Sequence, residues 1–209
     1  MSHNWLEKTM RIVTANELQH WLNNGKIVEK DGRGPKVIQL GDGNFLKIFR
    51  SKRPLLARWR PEAKRFARNA QALQKLGIAT PELLECLWIE PAKGVSACLY
   101  HPLAGKSLES LAKQQSEQLD ALLPDFAAYI RHLHQNGIYF RSLHLGNVLS
   151  LPSGGFGLID FLDLRLKRGP LGKSLVKRNF AHLQNHLSRR RIDSFPLEKL
   201  LACYEQASS

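Results

Sequence analysis

The chain is poor in cysteine, in acidic residues and in long apolar runs, and each shortage narrows the field. Cys86, Cys98 and Cys203 form an odd set at wide spacing with no Cys-x-x-Cys pair. That argues against a disulfide framework or a zinc site, and for a reducing, cytoplasmic setting. No stretch approaches the ~20 consecutive apolar residues that span a bilayer. The opening, Met1 to Met10, is polar and lacks an apolar core, so a secretory signal is not expected. Internal repeats and low-complexity tracts are absent as well.

The shortage of acid leaves a large basic excess. Lys and Arg number 31 against 18 Asp and Glu, a formal net charge of +13. The excess is clustered: from Lys47 to Arg68 the only acid is Glu62, a second cluster runs from Arg165 to Arg178, and Arg189, Arg190 and Arg191 form a third. Such fields attract polyanions, whether nucleic acid, anionic lipid headgroups or a phosphorylated glycolipid. Any single cluster also reads as a solvated surface. Hydrophobic residues make up 43% of 209 residues, enough to bury a core in one domain or in two small lobes sharing a cleft.

Periodicity then places the elements. Lys36 to Leu40 and Asn44 to Phe49 are β-prone runs separated by Gly41-Asp42-Gly43, a hairpin signal, and Asp31-Gly32-Arg33-Gly34-Pro35 is a second turn upstream. From about Pro61 to Leu76 the period becomes helical, with Phe66, Ala70, Leu73 and Leu76 on one stripe and Gly77 as the stop. Leu83–Leu87 and Ala97–Tyr100 read as strands, and His101 to Ser107 as a hinge. Leu108–Lys113 and Leu119–Gln135 read as helices, the second with Leu122, Phe126, Ile130 and Leu133 inward and Gly137 at its end. Val148–Ser150 and Phe156–Ile159 form a hairpin around Ser153-Gly154-Gly155, and the chain from about Gly172 is mostly helical. The fold class is therefore α+β with segregated lobes: residues 1–100 a small, mainly antiparallel β N-lobe with one helix, residues 101–209 a mainly α C-lobe.

The chemistry concentrates between Leu133 and Leu162. Asn147 precedes the apolar strand Val148-Leu149, and Asp160 follows the apolar strand Gly157-Leu158-Ile159. Phosphoryl transfer to a hydroxyl needs hard oxygen ligands that hold Mg²⁺ against the nucleotide phosphates, and a residue on the preceding loop that orients or deprotonates the acceptor. An Asn amide and an Asp carboxylate brought together by a hairpin meet the first need. Alone, either would read as a turn cap or a surface residue.

This ordered pattern resembles the protein-kinase-like superfamily, whose catalytic loop reads H-x-D-L-x-x-x-N and whose metal loop reads D-F-G. It is most similar to the bacterial lipopolysaccharide core-sugar kinases of the Kdo kinase type. There, Leu-His-x-x-Gly-Ile leads into the loop, here Leu133 to Ile138. Leu-Ile-Asp-Phe, here Leu158 to Phe161, is followed by a basic run and an Asn-Phe-x-x-Leu helix, here Asn179 to Leu183. The resemblance runs over roughly residues 34–187 and is specific around 133–162. It implies a two-lobed kinase-like fold, ATP and Mg²⁺ as cofactors, Asn147 and Asp160 as metal ligands, and Lys47 as the strand lysine on the nucleotide phosphates. It also implies that Asp31-Gly32-Arg33-Gly34 covers the nucleotide, and that Tyr100 to Leu108 is the hinge whose backbone meets adenine. Lys47 also reads as one more surface lysine of a basic region.

Two departures matter. The family's catalytic Asp falls at Ser142, and the helix Glu that pairs with the strand lysine falls near Asn69, with Glu62 as the alternative. His144, two residues beyond Ser142, could take the base role with its ordinary pKa of about 6.5, or could merely brace the loop. Three functions follow. The first is an ATP-dependent kinase of cell-envelope biogenesis acting on a lipopolysaccharide core sugar or similar anionic glycolipid, cytoplasmic and in peripheral contact with the inner membrane face. The second is a catalytically silent pseudokinase serving as a nucleotide-binding or regulatory module. The third, a nucleic-acid binder, rests on charge alone, since no named reader motif is visible. The short tail after Asp160 favours a small or glycolipid acceptor over a protein. Of Trp5, Trp21, Trp59 and Trp88, only Trp59, between Arg58 and Arg60, suggests a headgroup boundary rather than core.

Overall fold

The computed structural model describes residues 9–114, 116–141 and 143–206. They divide into two compact units. One takes in the chain up to Lys75 together with Pro81–Leu103; the other takes in Leu76–Thr80 and the chain from Ala104.

The first unit runs β1 (Arg11–Ile12), α1 (Ala15–Asn24), β2 (Lys26–Asp31), β3 (Gly34–Gln39), β4 (Phe45–Arg50), α2 (Pro54–Trp59), α3 (Glu62–Lys75), β5 (Glu82–Glu90), a 3₁₀ turn (Pro91–Lys93) and β6 (Val95–His101). Its strands form one sheet in the order β1-β5-β6-β4-β3-β2, antiparallel except for the β1–β5 pair. The expected hairpin is β3–β4. Asp42 shapes its turn by accepting from the Asn44 amide at 3.0 Å and from its side chain at 2.7 Å. Alternation along β4 divides its side chains between two faces. Leu46 and Ile48 join Val13, Ile38, Leu87 and Ala97 in a core that α1 covers with Leu18, Trp21 and Leu22. Phe49 turns to the other face, where its ring meets Phe66 of α3 at 5.5 Å. Each fully buried Leu or Phe there stabilises the unit by about 1.5–3 kcal/mol. Ser96 on β6 fixes the start of α3 by accepting from the Ala63 amide at 3.2 Å. Beyond the one expected helix, α3, the unit also carries α1 and α2.

The second unit runs β7 (Lys106–Ser107), α4 (Leu108–Gln114), α5 (Ser116–Gln135), β8 (Ile138–Tyr139), a 3₁₀ turn (Leu145–Asn147), β9 (Val148–Ser150), β10 (Phe156–Leu158), β11 (Arg165–Leu166), α6 (Lys173–Arg190) and α7 (Leu197–Gln206). The buried stripe of α5 is Leu119, Leu123, Phe126, Ile130 and Leu133. Leu122, expected inward, is half-buried, because Leu123 rather than Leu122 falls at the helical spacing between Leu119 and Phe126. Strand β9 lies between β10 and β7, and β8 pairs with β11. Arg131 docks α7 onto α5 by donating to the Tyr204 carbonyl at 3.1 Å with its guanidinium 4.2 Å from the Tyr204 ring.

Candidate functional site

In the second unit, the segment from Phe140 to Asn147 is braced at both ends. At its start the Asn179 side-chain amide donates to the Phe140 carbonyl at 2.6 Å. The same Asn179 presents its oxygen to His134 Nε2 at 3.0 Å, and His134 Nδ1 lies 2.8 Å from the Tyr204 hydroxyl. Because the Asn179 oxygen can only accept, His134 carries its proton on Nε2 and receives the Tyr204 hydroxyl on Nδ1. Within the segment Leu143 and Leu145 are fully buried, and the Leu143 amide bonds the Phe140 carbonyl at 3.0 Å.

At its end the segment meets the second motif. Asn147, buried, closes the 3₁₀ turn by bonding its amide to the His144 carbonyl at 2.9 Å. In the β9–β10 ladder Leu158 faces Val148, and the next step is the Ile159 amide on the Asn147 carbonyl at 3.0 Å. Asp160, the following residue, sits in the left-handed region at φ 53. Asp tolerates that conformation better than most residues, and such departures gather at working sites. Phe161 behind it is fully buried. Asn147 and Asp160 thus supply an amide and a carboxylate oxygen from adjoining backbone. These hard donors suit Mg²⁺, which usually takes only one or two protein groups and fills its other positions with water and phosphate. Among the described residues no three His, Cys, Asp or Glu side chains converge into a metal-binding group.

Ser142 lies outside the described residues. His144 is half-buried, and its ring stacks on His186 at 4.2 Å and 10°. Among the described residues its buried Nδ1 has no hydrogen-bond partner. Burial, reinforced by His186, pushes its pKa down to about 4 against the opposing pull of Glu109 and Asp160. His144 is therefore neutral at pH 7 and a weaker base than an ordinary histidine.

A charged cluster that the sequence reading passed over lies behind this loop. Glu109 of α4, only 7% exposed, accepts from Lys113 at 2.7 Å, from Arg190 at 3.1 Å and from His186 Nε2 at 3.2 Å. A methyl group on Gly146 would stand 2.9 Å from the Glu109 Oε2, so glycine is what lets the loop lie against this carboxylate. On the solvent side a pocket of about 580 Å³ is lined by Arg141, His144, His182 and Arg189, with Asn185 and Ser188. Among the described residues, no acidic side chain lines it.

The remaining candidates belong to the first unit. Lys47 is 7% exposed on β4, with its Nζ 5.7 Å from the centroid of the Phe66 ring. It is thus a buried lysine, unlike the solvated residues of the basic cluster. Glu62 and Asn69, both half-buried, lie one turn to either side of Phe66 along α3. Both proposed partners of Lys47 therefore share the helix face that carries Phe66. Gly32 and Gly34 form the β2–β3 turn, where Gly34 has φ +109 and the Arg33 amide bonds Asp31 at 2.8 Å. The Tyr100 ring stacks on Phe45 at 5.9 Å, and in the sheet Tyr100 stands opposite Phe45 of β4 on one side and Leu83 of β5 on the other. Cys86 and Cys98, far apart in sequence, face each other across β5 and β6 with their sulfurs 3.8 Å apart.

A family model described as APH, phosphotransferase enzyme family, matches residues 30–139, more than half of the 209. The match takes in Lys47, α3 and α5 and ends just before the loop that carries Ser142, His144, Asn147 and, beyond it, Asp160. Comparison with curated proteins finds no match.

Proposed function

The chain belongs to the phosphotransferase enzyme family, within the protein-kinase-like superfamily, and we propose that it is an ATP-dependent kinase acting on a hydroxyl of an anionic glycolipid, a sugar of the lipopolysaccharide core. The observation that carries the reading is the backbone bond from Ile159 to Asn147, which sets the amide of Asn147 and the carboxylate of Asp160 on adjoining segments. In this reading Asn147 and Asp160 would hold Mg²⁺, which when bound supplies positive charge at the transferring phosphoryl oxygens. Lys47, and the Gly32–Gly34 turn, would bind the nucleotide phosphates. An anionic acceptor is supported by the basic pocket beside the loop, where Arg141 and Arg189 would bind its phosphate or carboxylate groups. His144, neutral at pH 7, would accept the hydroxyl proton, with a gain limited by its depressed pKa.

A second reading, a silent pseudokinase, is favoured by one observation. With Ser142 in place of the catalytic Asp, the loop's remaining candidate base is a histidine whose pKa lies near 4. Phosphoryl transfer rests mostly on positioning and electrostatics, so loss of a strong base slows the reaction more readily than it abolishes it.

The deciding experiment is Mg²⁺-dependent ATP binding and turnover, wild type beside Asp160→Ala, with and without lipopolysaccharide core acceptors. Binding with acceptor-dependent turnover that the substitution removes supports the kinase. Binding without turnover supports the pseudokinase. Turnover untouched by Asp160→Ala overturns the assignment of this site.

A further inference from the structure

Helix α2 presents an apolar face to solvent. Leu55 is 79% exposed, Leu56 50% and Trp59 87%. Spacings of four and three put all three on one side of the helix. The opposite side is fixed. Ala57, 2% exposed, packs against the turn after Pro91–Lys93, where a methyl group on Gly94 would come within 2.8 Å of the Ala57 Cβ and 3.0 Å of the Pro54 Cα. Gly94, at φ +66, therefore lets the helix sit flush on the sheet unit. The exposed side chains are held out by a seated helix and do not belong to a loose loop.

The same helix borders a strongly cationic concavity. A pocket of about 810 Å³ is lined by Leu56 and Ala57 together with Arg50, Lys52, Arg53, Arg60, Arg65 and Arg68. Among the described residues, Glu62 is the one acid in that lining. Arg58 and Arg60 flank Trp59 in the chain.

We propose that α2 and this concavity form a docking surface for an anionic phospholipid bilayer. Leu55, Leu56 and Trp59 enter the boundary between headgroups and acyl chains, and the arginines bind the lipid phosphates. Each half of the surface needs the other. Two leucines and an indole bury too little apolar area to anchor a protein alone, and cations alone give salt-sensitive attraction without depth. Together they match an interface that is apolar beneath and anionic above, with Trp at its preferred level. Nucleic acid would use the arginines and could stack on Trp59, but it offers nothing to Leu55 and Leu56. The inference does not depend on the phosphotransfer reading, since every residue it uses lies in α2 or its surroundings.

The test is sedimentation of the full chain with vesicles of phosphatidylcholine, with and without phosphatidylglycerol, at physiological salt. Three double variants are compared after thermal melts show them folded. Leu55→Ser with Trp59→Ser keeps the charge and removes the apolar face. Arg53→Glu with Arg58→Glu removes local charge. Lys26→Glu with Lys30→Glu makes the same charge change on the exposed edge strand β2. The first two are expected to lose on the order of tenfold or more in partitioning to the anionic vesicles, and the third clearly less. Full binding by the serine pair, or equal losses by the two glutamate pairs, would reduce the effect to net charge and overturn the proposal. Should the serine pair fail to fold, quenching of tryptophan fluorescence by brominated lipid replaces it, and Trp59→Phe is expected to remove the quenching. Quenching that survives Trp59→Phe, or RNA binding that depends on α2 where vesicle binding is absent, overturns the proposal as well.

Discussion

The Ile159 amide donates to the Asn147 carbonyl at 3.0 Å, so the ladder that zips β9 to β10 ends where the two proposed metal ligands begin. The charge of Asp160 can be tested without disturbing that ladder. Asn shares the tolerance of Asp for the left-handed conformation that Asp160 adopts at φ 53. Asp160→Asn is therefore expected to keep the melting temperature and to cut Mg²⁺-dependent turnover at least about a hundredfold. Steady-state kinetics beside a thermal melt checks both, and undiminished turnover would remove Asp160 from the chemistry.

Ser142 offers the reverse experiment. Placing a carboxylate where the kinase resemblance puts a base, Ser142→Asp, is expected to raise turnover by up to the 10²–10⁴-fold that general acid–base help typically supplies. Single-turnover rates with saturating ATP would register the gain. No gain, alongside intact ATP binding, would mean that the rest of the machinery is not assembled for transfer.

His134 ties stability to pH. It is 3% exposed, and burial together with the nearby Arg131 charge holds its pKa below the ordinary value, against the opposing pull of its Asn179 bond. The unfolded histidine titrates near about pH 6.5, so below that pH the unfolded chain binds a proton that the folded chain refuses. Stability from this group is whole above about pH 6.5 and is lost as pH falls towards the folded pKa. His186, also lowered mainly by burial, acts in the same direction. Melting temperature is expected to be flat from about pH 7 upward and to fall below about pH 6.5, with a shallower fall in His134→Gln. A melt that strengthens on acidification would contradict the assignment.

Glu109 and Gly146 should behave as a coupled pair. Lys113, His186 and Arg190 pin the Glu109 carboxylate, which cannot swing aside when a methyl group arrives 2.9 Å away. Gly146→Ala is expected to cost about 1–3 kcal/mol through overpacking. Glu109→Ala is expected to cost a similar amount by leaving the buried His186 donor unmatched. In the Glu109→Ala background the glycine substitution should cost markedly less, a departure from additivity that denaturant titration of the four proteins would reveal.

Regular elements with a strong local signature were legible from sequence: the Asp42-Gly43 hairpin, the α3 stripe ending at Gly77, and the β9–β10 pair that frames Asn147 and Asp160. Helix α1 escaped because none of its residues is fully buried, although Thr14 caps it by accepting from the Glu17 amide at 3.2 Å, a pattern visible in the chain. Helix α2 escaped because its six residues, Pro54–Trp59, are too few to show a period. The Glu109–His186–His144 cluster had no local signal at all, since its members come together only through the packing of α4 and α6 around the loop. Cys86 facing Cys98 is another such case: their separation in sequence hid a cross-strand pair that the β5–β6 register creates.

The chain of contacts from Tyr204 through His134 and Asn179 to the Phe140 carbonyl also imposes an order of events. A ribosome releases the chain from its N-terminus, so the loop of Phe140 to Asn147 emerges well before the residue that completes its brace. Until Tyr204 clears the exit tunnel, His134 lacks one bond and the loop one of its supports. The nascent protein would thus hold its sheet unit before the candidate loop is fully braced, so this part of the fold would be completed late and in a single step.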